Sequence, residues 1–142
     1  MIPQNIRTRG TAVRVLLGQW LISACAISIL ILLQSIFGKY GNDSEVAWSW
    51  MCGLFVPPLS LLLTAALTES SIDWHNQVAS TFKYWVAFGA GGVCILAVAF
   101  ILLIEPVVSL SYFQLFEKTS LALALWQGFS VAAISAVVFE GR

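Results

Sequence analysis

Read from its N-terminus, the chain alternates long apolar runs with short polar ones. Residues 15–37 are apolar apart from Gln19, Gln34 and a few serines, and three further runs follow at 46–68, 84–104 and 120–139. At ~1.5 Å of rise per residue, each run is long enough to cross a hydrocarbon core of about 30 Å as a helix. No run has a charged residue in its interior. Membrane-barrel strands are shorter and alternate apolar with polar positions, so helices are the arrangement that satisfies these backbones in lipid. The pattern predicts one all-α polytopic membrane domain over residues 1–142, with four transmembrane helices in a compact bundle. Outer loops are expected at 38–45 and 105–119 and a cytoplasmic loop at 69–83.

Composition sharpens this. Hydrophobic residues make up 59% of the chain and charged residues 10%, against roughly 45–50% and 25% in soluble domains. Seven acidic and seven basic side chains are too few to cover a soluble fold of 142 residues. The formal net charge is zero, which leaves no basic field for direct contact with nucleic acid. Expected partners are membrane lipids, further copies of the chain in a homo-oligomer, or a cytosolic protein reached through a loop.

The basic residues set an orientation. Arg7, Arg9 and Arg14 precede the first span, Lys83 lies in the second connection and Arg142 ends the chain, while the opposite side has Lys39 and Lys118. By the positive-inside rule both termini are cytoplasmic, most simply at a bacterial inner membrane. Trp20, Trp48, Trp50 and Trp85 fall near span ends, where amphipathic rings favour the headgroup level. Trp126 falls within the fourth span and is expected against another helix.

The loops differ in character. Residues 38–45 read as a hairpin turn with no hydrophobic anchor. Residues 69–83 interleave polar positions with Ile72, Trp74, Val78 and Phe82, a spacing that suits a short helix on the inner membrane surface. Residues 105–119 open with Glu105-Pro106, which ends the third helix, and continue with aromatics expected to dip into the interface or cover helix ends. None of the loops is long enough for a separate folded domain.

Candidate chemistry is sparse. His75, the single histidine, stands beside Asp73, Trp74 and Asn76 in the cytoplasmic loop. No second histidine or Cys-x-x-Cys completes a metal site around it. We read Asp73, Trp74 and His75 as a partner-docking segment, and expect neither catalysis nor a cofactor. Haem would need axial ligands that the spans lack. Ion-coupled transport normally keeps a charged group inside a span, and these spans have none. Gln19, Gln34 and Gln127 are intramembrane polar residues that either hydrogen-bond between helices or line a pore. Cys25, Cys52 and Cys94 lie far apart in apolar runs and read as small packing residues.

Packing signals are clearer. Ala124, Gly128, Ala132 and Ala136 recur every fourth residue, and a weaker stripe places Ala87 four residues before Gly91. Small residues let helix backbones approach closely in lipid, where apolar burial supplies no drive of its own. Pro57-Pro58, near the middle of the second span, should kink or unwind it around residues 55–59, where it either serves as a hinge or part of a cavity or merely shapes the bundle, and the carbonyls it frees require other donors.

Ile22-Ser-Ala-Cys25 is similar to the lipobox at which bacterial lipoproteins are cleaved and acylated. The apolar run nevertheless continues from Ala26 to Phe37, and removing the first 24 residues would leave too little to span. Cys25 is therefore expected inside an intact first helix. These readings favour a non-enzymatic membrane subunit that self-associates or anchors a cytosolic partner. A small oligomeric channel or membrane-permeabilising effector stands second, and a lipid-handling protein third. In size and span count the chain resembles small membrane components of bacterial multi-protein systems, including antiphage defence systems; that likeness carries no motif.

Overall fold

The computed structural model describes residues 8–41, 43–68, 80–104 and 111–139. Within them the chain forms α1 (Arg9–Ile36), α2 (Ser44–Thr68), α3 (Thr81–Ile104) and α4 (Tyr112–Val138). All four are long and apolar enough to cross a membrane. Their outward faces carry large apolar side chains such as Ile22, Leu96 and Leu125, each at least 70% exposed. Four such helices with apolar side chains turned outward fit a multi-pass membrane protein.

All four helices begin earlier than their apolar runs, α1 and α4 by the most. Thr8 caps α1 by accepting a hydrogen bond from the Thr11 amide, which brings residues 9–14 into the helix. Ser111 caps α4 in the same way, accepting from the Gln114 amide. Residues 112–119 are therefore helical, where a loop was expected. The polar group Glu117-Lys118-Thr119-Ser120 interrupts the hydropathy but not the helix. Residues 81–83, expected in the cytoplasmic loop, form the first turn of α3.

The α1–α2 turn is tightly built. At the end of α1, the Gly38 amide donates to Ser35 and the Lys39 amide to Gln34, the pair of bonds that defines a Schellman cap. Gly38 takes the left-handed conformation this requires, with φ of 71°, and Gly41 has φ of 55°. The turn does have an anchor: Tyr40 is buried, its hydroxyl donates to Gln34 Oε1, and its ring packs on Phe116 of α4. Sequence reading missed it because one aromatic among turn residues gives no periodic signal.

Around the bundle the order is α1, α2, α4, α3, with α1 on α2, α2 on α4 and α3 on α4 as the extensive contacts. Leu16, Ile31, Leu62, Val98, Leu102 and Ile134 meet in one buried cluster drawn from all four helices. Trp20 belongs to it: the ring is 1% exposed and stands edge-on to Phe55 of α2. It is thus an interior residue, in place of the interfacial belt expected for it. Trp85, at the start of α3, does face outward.

Candidate functional site

The polar structure of the bundle centres on two consecutive prolines. In an α-helix the amide of residue i donates to the carbonyl of residue i−4, and proline has no amide hydrogen to give. Pro57 and Pro58 therefore leave the Gly53 and Leu54 carbonyls without their helical donors, yet α2 continues through them as helix. Gln127 of α4 supplies what is missing. Its Nε2 donates to Gly53 O at 2.8 Å and to Leu54 O at 3.2 Å. One side-chain amide thus replaces two absent backbone donors and ties α2 to α4. The expected local unwinding is not seen, because the repair comes from a neighbouring helix.

The other two glutamines are also engaged within the chain. Gln19 Nε2 donates to Phe88 O of α3 at 3.2 Å, and Gln34 accepts the Tyr40 hydroxyl. All three amides thus hold elements of the same bundle together. Ser23, Thr68, Thr119 and Ser130 return their hydroxyls to carbonyls of their own helices, each to the residue four before it or its neighbour. This is the local bonding open to a hydroxyl in an apolar helix.

The two small-residue stripes have opposite fates. On α3, Ala87, Gly91 and Cys94 are buried, and a Cβ at Gly91 would lie 3.1 Å from Trp20 Nε1. Glycine at 91 is what lets the indole lie against the α3 backbone. On α4, Ala124, Gly128, Ala132 and Ala136 are all exposed, and a Cβ at Gly128 would meet nothing within 4 Å. That helix packs inward through Leu123, Ser130, Ile134 and Val137 instead. Trp126 also faces outward, at 46% exposure, and crosses Phe129 edge to face, so it does not pack on another helix of the chain as expected. A shallow recess of about 290 Å³ between Leu125, Trp126 and Phe129 marks the same side.

Cys25 lies on an exposed face inside unbroken α1, and Cys52 is exposed while Cys94 is buried. Among the described residues no group of three or more His, Cys, Asp or Glu side chains could hold a metal ion. Asp73, Trp74 and His75, expected to dock a partner, lie outside the described residues, as does the Glu105-Pro106 stop. The Ser111-x-x-Gln114 spacing is the signal that could have placed the start of α4, since it has the form of a helix N-terminal capping box. No family model, curated protein or solved structure matches this chain, so its functional reading rests on the geometry of the bundle and on the outward face of α4.

Proposed function

We propose that the chain is a non-enzymatic integral membrane subunit that self-associates through the outer face of α4. The observation that carries this reading is the contrast between its two stripes: Gly91 is filled by Trp20, whereas a Cβ at Gly128 would meet nothing within 4 Å and Ala124, Ala132 and Ala136 are exposed. In lipid an apolar face gains little from burial alone, so close backbone approach is what a small-residue stripe contributes to association. Trp126 and Phe129 beside it supply ring area for a facing helix. Both termini and residues 69–83 lie on the cytoplasmic side in this reading, where Asp73, Trp74 and His75 would dock a cytosolic partner.

Cysteine crosslinking in native membranes tests the surface. In a chain with Cys25, Cys52 and Cys94 replaced by alanine, Ala132→Cys should give a disulfide-linked dimer on oxidation. Ala87→Cys, placed on the inner stripe, should not. Equal crosslinking at the two positions, or none at Ala132→Cys, would count against the α4 face. Docking is tested separately by co-purification from mild detergent with Trp74→Ala and His75→Ala, which should release a bound cytosolic protein; retention of every partner would exclude that segment.

A further inference from the structure

At the end of the bundle that carries the α1–α2 turn, an open groove of about 460 Å³ lies between residues of α2 and α4, beside the stacked rings of Trp50 and Phe116. Glu45 and Glu117, one from each helix and both exposed, stand among its lining residues, with Ser49, Ser120, Trp50 and Phe113. A second recess of about 230 Å³ shares Ser49, Trp50 and Ser120 with the first and runs on to Leu54, Ala124 and Gln127. Through these shared residues the two recesses adjoin, and their combined lining grades from carboxylates through hydroxyls and aromatic rings to Leu54, Ala124 and Gln127. Neither part is lined by a lysine or arginine among the described residues. Lys39, on the adjoining turn, is directed at the Tyr40 ring, 5.9 Å from its centroid.

Charge and shape together select the occupant. Two carboxylates without a lining cation disfavour an anionic headgroup and attract a positive one, more strongly at the edge of a low-dielectric slab than in bulk water. Trp and Phe rings attract a substituted ammonium through their negative faces. The volume lies within the usual range for small-molecule sites, and the apolar extension toward Leu54 and Ala124 continues the groove along the helices. We propose that this groove binds a cationic amphiphile, with its ammonium group between Glu45, Glu117 and the Trp50 and Phe113 rings and its apolar tail along α2 and α4.

The test is calorimetric titration of the full chain, in neutral maltoside micelles, with decyltrimethylammonium below its own micellar concentration. Decyl sulfate serves as the anionic control, and protein-free micelles give the partition background. The expected result is saturable binding of about one cation per chain, no saturable binding of decyl sulfate, and about tenfold weaker binding in the double variant Glu45→Gln, Glu117→Gln. Ser120→Phe, which fills the groove without touching the carboxylates, should abolish binding. Both residues of the double variant are exposed, so its unfolding temperature should match wild type and separate loss of binding from loss of fold. Equal binding of the two probes, unchanged affinity in the double variant, or no saturable signal above the micelle background would overturn the proposal.

Discussion

Gln127 Nε2 on α4 stands 2.8 Å from the Gly53 carbonyl on α2, the carbonyl that Pro57 cannot serve. The bond, with its partner to Leu54 O, makes the prolines and the glutamine one unit across two helices. Gln127→Leu should therefore destabilise the bundle by about 1–3 kcal/mol, the usual loss when an acceptor in apolar surroundings is left without a donor. The effect should largely vanish when Pro57 and Pro58 are both replaced by alanine, because the restored amides serve Gly53 and Leu54 within α2. A double-mutant cycle of unfolding free energies in mixed micelles measures this coupling. Additive effects would separate the glutamine from the prolines.

Gly91 and Gly89 should respond in opposite ways to a larger side chain. Gly91→Val places new atoms against the Trp20 indole and should lose about 1–3 kcal/mol by overpacking. Gly89 is exposed and has nothing within 4 Å of its Cβ position. Gly89→Ala should be neutral or stabilise by up to about 1 kcal/mol through helix propensity. Thermal unfolding of the two variants side by side checks the contact.

The α1–α2 turn depends on backbone geometry as well as on the Tyr40 anchor. Gly38→Val forces a β-branched residue into the left-handed region at φ of 71° and should destabilise by roughly 1–2 kcal/mol or more. Gly38→Asn, which tolerates that region, should recover most of the loss. The pair is read by unfolding temperature.

Thiol accessibility offers a separate check on the packing. In mild detergent a small apolar maleimide that enters the micelle should modify Cys25 and Cys52, which are exposed on the bundle surface, faster than Cys94, which should stay protected until the bundle is unfolded in strong denaturing detergent. Mass spectrometry of labelled peptides identifies the sites. Fast labelling of Cys94 would mean that α3 does not pack as described.

Much of this fold could be read from the chain, for a definite reason. A helix in lipid must keep an uninterrupted apolar run, so spans stand out even without amphipathic periodicity. The ends of α1 and α4 were harder to read. Thr8 and Ser111 start those helices ahead of the long apolar runs, where capping chemistry is the signal. The need for an outside donor at Pro57-Pro58 was legible, as was Gln127 as a polar residue that either bonds between helices or lines a pore. That these two features meet was not, because the pairing links positions more than 70 residues apart. Trp20 and Trp126 were each expected on the wrong side of the bundle. Tryptophan suits an interface, a core and a lipid-facing ridge equally, and Gly91 on another helix decides the first of these placements. The burial of Tyr40 likewise depends on Phe116, a partner that the turn sequence does not reveal.

The α4 stripe allows a sharp separation of folding from association. Gly128→Leu adds bulk where the single chain offers open space, so unfolding of the isolated bundle should change by less than about 0.5 kcal/mol. The same substitution should block a helix of a second copy from approaching. A variant that unfolds at a clearly lower temperature would place Gly128 inside the fold.

The most direct measurement is the mass of the purified chain in mild detergent by native mass spectrometry, for wild type and Gly128→Leu at matched concentration. Self-association through α4 predicts a defined multimer for the wild type and a shift to monomer for the variant, with unchanged helix content. A wild-type monomer at every concentration, or a multimer indifferent to Gly128→Leu, would contradict it.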